Sequence, residues 1–501
     1  MNKTIIIGSG FSGMSAACFM AKAGWNVTVI EKHSMVGGRA RKFEENGFTF
    51  DMGPSWYWMP DVFERFFNCF GKKAADYYEL QRLDPSYKVY YEDEAIDIPA
   101  NYNQLCSLFE NIEKGSAKQL DLFLNEAAYK YQVGIHKLVH KPGKNIREFL
   151  DIDLAKGIFK LDVFTSMKQH IRKYFSHPKL IQLMEFPVLF LGALPADIPA
   201  LYSLMNYADI KLGTWYPKGG MYNIAEAMYQ LALELGVTFH FDTEVESFSF
   251  QKNKIQKVKA TNKKEAIYHE IIFDADVVIG SADYHFIETT LLPVAFQSYS
   301  AAYWEKRVMA PSCLIYYIGL NKKLQNIHHH SLFFDVDFSL HGEEIYTTPK
   351  WPTEPLFYVC TPSITDHTVA PENCENLFFL IPIAAGLEGD SVTIREQYFQ
   401  KIIHRFEKQT GQSISDSIIY KKSYAVADFK KDYHAFKGNA YGLANTLMQT
   451  SLLKPSIKSK KIKNLYYTGQ LTVPGPGVPP ALISGEVVSK EILKAFKNNL
   501  K

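Results

Sequence analysis

The chain has 501 residues, and its 55 Lys and Arg against 53 Asp and Glu leave a formal net charge of +2. That length exceeds one compact core, so two domains or more are expected, and the near balance of charge removes the electrostatic case for a nucleic-acid partner. Six scattered cysteines (Cys18, Cys69, Cys106, Cys313, Cys360 and Cys374) show no C-x-x-C spacing, which implies neither a zinc site nor a disulfide framework but reduced thiols, as in a cytoplasmic protein.

Met1-Asn2-Lys3 leads directly into a strand, Lys3 to Ile7, without the basic, apolar and cleavage regions of a signal peptide. The strand runs into Gly8-Ser9-Gly10-Phe11-Ser12-Gly13, and a second strand, Asn26 to Ile30, ends on Glu31. This order of strand, G-x-G-x-x-G, helix, strand and acid is the fingerprint of a dinucleotide site. Gly8 permits the tight turn, Gly10 lets the backbone approach a pyrophosphate, and Gly13 lets helix and strand pack closely. The helix N-terminus offers free N–H groups and a positive dipole end, and Glu31 can accept from a ribose hydroxyl.

Next comes Gly37-Gly38-Arg39, a G-G-R just past the acid, which resembles the FAD-binding flavoprotein amine oxidase superfamily. Two glycines and an arginine combine close backbone approach with a guanidinium fork suited to a pyrophosphate or the polar edge of a flavin. Between 90 and 200 the pattern is mostly helical. Ile158 to Phe175 reads as a basic amphipathic helix, with Leu161, Phe164, Met167, Ile171 and Tyr174-Phe175 apolar and Lys160, Lys168, Arg172 and Lys173 on other faces. Ile181 to Met205 is the most apolar stretch, but Glu185, Pro187, Pro195, Asp197 and Pro199 interrupt it, so no membrane span is expected.

The nucleotide-binding fold resumes near Met221 to Leu235, a helical pattern stopped by Gly236 and followed by the strand Val237 to Phe241. Then come Thr243-Glu244-Val245, a hairpin around Lys252 to Lys264, and the buried-type strand Ala275 to Ala282. In the resembling flavoproteins the backbone at such a valine contacts the adenine, a role that Val245 inherits. Between 285 and 430 strand-like runs, Cys313 to Leu320 and Leu356 to Cys360, mix with helices. His328-His329-His330 reads as a solvated loop and not a metal site, and Lys431, Asp432 and His434 read as surface. The last block, Asn464 to Gln470, is a strand ending at Gly469, followed by Pro474-Gly475-Pro476-Gly477-Val478-Pro479-Pro480 and a helix to Phe496. That second helix mouth suits the pyrimidine end of a flavin, where N–H groups can stabilise an anionic ring.

Three segments make the resemblance more specific: Phe48-Thr49-Phe50-Asp51-Met52-Gly53-Pro54-Ser55, Gly213 to Met221, and Thr468-Gly469 with Pro474-Gly475-x-Gly477-Val478-Pro479. From end to end the chain resembles the bacterial-type phytoene desaturases. The resemblance implies an α/β protein: a discontinuous Rossmann-type FAD-binding domain (1–90, 200–284 and 431–501) and a mixed α+β substrate domain (91–199 and 285–430) with a helical, membrane-facing part. It implies FAD held by Gly8, Gly10, Phe11, Ser12, Gly13, Glu31, Lys32, Gly38, Arg39, Gly53, Pro54, Ser55, Val245, Gly469, Gln470, Gly477, Val478 and Pro479. Asp51 is expected near the flavin, fixing backbone rather than moving protons.

The chemistry so implied is insertion of double bonds into phytoene, towards neurosporene or lycopene, by hydride transfer to flavin, which no side chain could accept. A hydrophobic C40 polyene, peripheral attachment to the cytoplasmic side of the cell membrane, and oxygen or a quinone as electron acceptor go with it. The rich aromatic content, 35 Phe, 30 Tyr and 6 Trp, suits a long apolar ligand as well as an ordinary core. No catalytic side chain and no metal ligand set is assigned. Alternatives on the same scaffold are a hydroxycarotenoid desaturase, a carotenoid isomerase or oxidase, and an amine or protoporphyrinogen oxidase, against which the C-terminal motif argues. A non-enzymatic prenyl-lipid escort protein is a further alternative, but such proteins lack the intact glycine fingerprint.

Overall fold

A computed structural model describes residues 1–145, 148, 161–189, 191–264 and 269–499. Two large sheets organise it. The first has five parallel strands in the order Leu465–Tyr467, Val277–Gly280, Lys3–Ile7, Asn26–Ile30 and Thr238–His240. Parallel strands covered on both faces read as unbroken apolar runs, which is why Ile5-Ile6-Ile7 and Val277-Val278-Ile279 show no alternation. The alternation is in their partners. Ile6, Val29 and Ile279 pack with the helices Phe11–Lys22, Tyr222–Glu234 and Val478–Asn499. Ile5, Ile7 and Val278 pack with Val245, Phe248 and Val258 of an antiparallel three-stranded sheet, Thr243–Gln251, Lys254–Asn262 and His269–Asp274. The first and last of the three helices touch where Gly485 meets Ser12; a Cβ there would stand 2.4 Å from the Ser12 carbonyl oxygen.

The second sheet has seven strands, in the order Ile418–Tyr424, Ser312–Leu320, Glu375–Ile383, Phe357–Cys360, His330–Phe334, Tyr87–Tyr91 and Ala95–Ile98. All neighbours are antiparallel except His330–Phe334 with Tyr87–Tyr91. One face, with Leu314, Tyr316, Phe379 and Ile381, is covered by the helix Val392–Thr410 through Phe399, Ile402 and Phe406. The other, with Cys313, Ile315, Tyr358 and Leu380, looks towards a layer containing Ser116–His136 and Pro178–Leu189. The fold is therefore mixed α/β, and among the described residues no helix is long and apolar enough to cross a membrane.

The basic amphipathic helix expected over Ile158 to Phe175 does not form as one element. Residues 158–160 lie outside the described residues; in the rest, α-helix is confined to Met167–Ile171. Asp162 adopts a left-handed conformation (φ 50°), and Ser166 caps the short helix by accepting from the Gln169 N–H. Leu161, Met167, Ile171 and Phe175 are buried within the protein, while Phe164 is exposed. A helical apolar pattern records only that a face leaves water; it does not say whether protein or lipid receives it. Here, for most of that face, protein does.

Candidate active site

The loop after the first strand is built for close approach. Gly8 has φ +98°, and a Cβ on Gly13 would stand 2.2 Å from the Gly8 carbonyl oxygen and 2.8 Å from Ser281 Oγ, so only glycine allows helix and strand to meet. A Cβ on Gly10 would meet nothing within 4 Å, because this residue faces a cavity. Gly10 is also the N-cap of Phe11–Lys22, and no side chain caps that helix. Its first N–H groups are thus left for an anion, the arrangement that a pyrophosphate needs. Glu31 is buried, accepts from Ser9 N–H (2.8 Å) and Ser9 Oγ (2.6 Å) at one oxygen, and from His33 N–H (2.9 Å) at the other. A carboxylate has about four acceptor positions, so one remains for a ribose hydroxyl.

Arg39 enters the same cavity from the Gly37-Gly38 turn. Its Nη2 donates to the Asn439 carbonyl (3.3 Å), its guanidinium lies 5.1 Å from the Tyr433 ring centre, and its buried Nε has no partner. Burial lowers its pKa, partly offset by Asp283. An orphaned, buried guanidinium nitrogen beside a phosphate cradle fits a bound dinucleotide, whose oxygens would satisfy it.

Of the sequence-derived cofactor positions, Gly8, Gly10, Phe11, Ser12, Glu31, Lys32, Gly38, Arg39, Gly53, Pro54, Ser55, Val245, Gly469, Gln470, Gly477, Val478 and Pro479 all line one cavity. Gly13 does not line it and acts by packing. The Val478–Asn499 helix points its N-terminus into this space, yet Pro479 and Pro480 carry no N–H, and Ala481 N–H bonds to Gly477 O (3.0 Å). Of the donors expected there, the two prolines remove theirs, leaving the N–H groups of Gly477 and Val478 and the helix dipole. Asp51 does not line the main cavity. It accepts from the N–H groups of Met221 (2.7 Å) and Tyr222 (2.9 Å), holding the start of Tyr222–Glu234, and burial raises its pKa to about 6.

The cavity holds about 390 Å³. Away from the glycine loop its wall is aromatic and aliphatic: Trp56, Trp58, Leu191, Met205, Ile315 and Leu380. Sequence reasoning missed these residues. Trp56 and Trp58 directly follow the Gly53-Pro54-Ser55 segment, which was the available signal, but Ile315 and Leu380 sit in strands buried on both faces, where no alternation marks the cavity side.

Two expectations about polar residues need correction. Asp432 and His434 are not simple surface groups: both line the cavity near Lys32 and Val245, and Lys431 is exposed. Asp432 pairs with Arg41 (3.2 Å), while His434 Nε2 lies 2.7 Å from Glu244, whose carboxyl is held down to about 2 by His434 and Lys263. The His328 to His330 run is not a solvated loop either. His328 lies at 3.1 Å from Asp97, but His329 and His330 are buried where the strand His330–Phe334 begins, and burial pushes both imidazoles well below the usual histidine range. Their partners come from strands distant in sequence, so a local reading sees only polar side chains. All six cysteines are free thiols.

Residues 11–493 match the family described as flavin containing amine oxidoreductase. The chain is 40% identical to the carotenoid 3,4-desaturase of Haloarcula japonica over 98% of this chain and 97% of that protein. It is 28% identical to the zeta-carotene-forming phytoene desaturase of Myxococcus xanthus, covering 98% and 94%. An oxidoreductase from Methanosarcina mazei shares the fold, with a TM-score of 0.62 at 17% identity over 97% of this chain and 100% of that one. The glycine cradle, the orphaned Arg39 nitrogen and these likenesses agree: the chain belongs to the flavin containing amine oxidoreductase family, among its carotenoid desaturases and their relatives, and is an FAD-dependent oxidoreductase.

Proposed function

We propose that the protein desaturates a carotenoid, removing hydrogen from a CH–CH unit that adjoins a conjugated polyene. The observation that carries this reading is a single cavity with a dinucleotide cradle at one end and an apolar, tryptophan-rich wall at the other. The flavin, when bound, supplies the hydride acceptor. The chain does the rest by placement. Gly10 and the helix behind it hold the pyrophosphate, Glu31 the ribose, Arg39 the phosphate or flavin edge, and Val245 the adenine. Trp56, Trp58, Ile315 and Leu380 grip the polyene, exclude water and set one carbon pair against the reactive ring, so that binding along the tail lowers the barrier at the reacting carbons. In this reading segments 1–90, 200–284 and 431–501 serve FAD, segments 91–199 and 285–430 serve the substrate, and the electrons leave to oxygen or a quinone.

Two positions on the polyene compete. The 40% identity to a 3,4-desaturase favours a 3,4 bond at the end of an already conjugated carotenoid, while the 28% identity to a phytoene desaturase supports phytoene itself. Collection of such a substrate from a bilayer is supported by Leu447, Met448, Leu452 and Leu453, which are exposed together on one segment. That segment leaves the cavity wall where Asn445 N–H bonds to the Leu191 carbonyl (3.1 Å). The test supplies the purified, flavin-loaded protein with liposomes containing either phytoene or an acyclic conjugated carotenoid whose 3,4 bonds are saturated. A red-shifted product from the second substrate is expected. A product from phytoene alone would move the reading to the earlier step, and no desaturation of either would overturn it.

A further inference from the structure

Behind the apolar wall runs a polar chain that the packing of the sheet does not require. Ser55 and Tyr358 both line the main cavity. Tyr358 Oη lies 2.9 Å from Ser55 Oγ and 2.6 Å from His330 Nδ1. His330 is fully buried, pairs across the sheet with Cys360, and stacks parallel on the Trp56 indole at 4.0 Å. Its Nε2 has no partner, nor has that of His329, whose Nδ1 is 2.9 Å from Thr365 Oγ1. A ring nitrogen of each histidine and the Cys360 sulfur lie within 4.8 Å of one another. His329 and Cys360 also line a second cavity of about 20 Å³, together with Asp51 and Ser55, which is room for one water. Polar groups thus lead from the substrate wall, through a dry histidine, to a small chamber that Asp51, Ser55 and His329 border.

We propose that Tyr358 and His330 are the proton acceptor of the desaturation. One substrate carbon gives up hydride, with its electron pair, to the flavin. The neighbouring carbon loses a proton to Tyr358 Oη, and the electron pair of that C–H bond becomes the new π bond. Tyr358 passes its own hydroxyl proton to His330 Nδ1 in the same movement, so the phenol ends neutral and the imidazole becomes imidazolium. The substrate has then lost one hydride and one proton, and no further reactant is needed for the step.

The surroundings suit a relay that does not store its proton. Burial keeps His330 neutral and ready to accept. Once formed, the imidazolium lies against the face of Trp56, a favourable cation–π arrangement, and a ring nitrogen of His330 is within 4.8 Å of one of His329, which lines the small chamber. The ionisable groups around His330 are Tyr358 and Cys360 from the paired strand, His329 from its own, Asp51 through the small chamber, and Tyr87 on the next strand, which packs on Trp56. The relay requires the tautomer with Nε2 protonated and Nδ1 accepting, so the Tyr358 hydroxyl, which donates to Ser55 Oγ at 2.9 Å, must turn to His330 Nδ1 at 2.6 Å for the transfer.

This inference rests on the desaturase reading, and its test keeps the two apart. The holoenzyme is mixed anaerobically with the carotenoid that it desaturates, and flavin bleaching is followed in wild type, Tyr358→Phe and His330→Gln. Loss of a general base costs about 10²- to 10⁴-fold, so bleaching is expected to slow by at least about a hundredfold in both variants, with flavin content and carotenoid affinity unchanged. A solvent deuterium effect on this step is expected in wild type and absent in Tyr358→Phe. Bleaching within about threefold of wild type in folded, flavin-loaded Tyr358→Phe would overturn the relay, since a general base is worth far more than that. Histidine ¹⁵N spectra of the holoenzyme give a second readout, with His330 assigned by its loss in His330→Gln or by its response to Tyr358→Phe. An unprotonated Nδ1 is expected; a protonated Nδ1 overturns the relay whether or not either variant turns over. Failure of the wild type to desaturate any carotenoid defeats the desaturase reading instead.

Discussion

The two large sheets put function in different parts of the chain. In the five-stranded parallel sheet the working atoms are mostly backbone: the space left at Gly8, Gly10 and Gly13 and the uncapped N–H groups at the start of Phe11–Lys22, with the Glu31 carboxylate beside them. In the seven-stranded sheet the working atoms are side chains on one face, Ile315, Tyr358 and Leu380, whose strand neighbours point the other way under Val392–Thr410. The first region therefore depends mainly on space at its glycines, with Glu31 and Arg39 as its few functional side chains, whereas the second defines its ligand by which side chain stands where. A cofactor shared by a whole family suits the first design and a variable substrate the second.

The largest effect that would sharpen this contrast comes from adding one methyl group to the first region. Gly13→Ala places a Cβ 2.2 Å from the Gly8 carbonyl, so the loop must move. Flavin is expected to be lost, and all turnover with it, as read from flavin absorbance per protein. A variant that retained full flavin would break the view that this region works through backbone space.

A smaller and more selective effect is expected in the second region. Leu380→Trp fills the cavity from the sheet side, and we expect kcat/KM for the carotenoid to fall roughly tenfold or more, the equivalent of about 1.4 kcal/mol, at unchanged flavin content. Equal losses of flavin and activity would mean that the two regions are not separable.

The smallest effect on activity is expected at Asp209, beneath the tryptophan wall. It accepts from Tyr87 Oη (2.8 Å) and Thr214 Oγ1 (3.1 Å), and Thr214 Oγ1 in turn accepts from Trp58 Nε1 (2.8 Å). Burial raises its carboxyl from 3.8 to about 7. The folded state then keeps a proton that the unfolded chain releases, so this contribution to stability is full below about pH 4, falls as pH rises to about 7, and stays lost above. Asp209→Asn mimics the protonated acid. It should flatten this decline and raise stability at pH 8 by on the order of 2–4 kcal/mol, measured by urea unfolding at pH 4 and pH 8. Unchanged pH dependence would show that the Tyr87 and Thr214 hydrogen bonds outweigh the desolvation.

Much of the first region was legible in the sequence. Lys3 to Glu31 is one contiguous segment, and each glycine has a task that a spacing rule captures, so the cofactor loop and its acid could be located without coordinates. Gly469 and Gly477 were reached from the form of a second helix mouth as well as from family resemblance, and Val245 only through resemblance, since nothing local says that it shares a cavity with Gly10. The seven-stranded sheet was harder, because burial on both faces erases the period of two that distinguishes an inner from an outer side. The buried histidines follow the same logic. His329 and His330 look hydrophilic until Cys360, Tyr358 and Trp56 are brought around them from other segments.

The sequence alone determined a dinucleotide site of the flavin kind, because a phosphate is bound by main-chain groups within a short run of residues whose glycines are visible as letters. The tertiary structure decided what that site faces: a tryptophan wall, a sheet face carrying Leu380 and Tyr358, and a dry histidine behind them. It also decided that most of the apolar face around Met167–Ile171 packs inwards. These depend on contacts between distant segments, and a local pattern of apolar residues carries no information about which partner removes them from water.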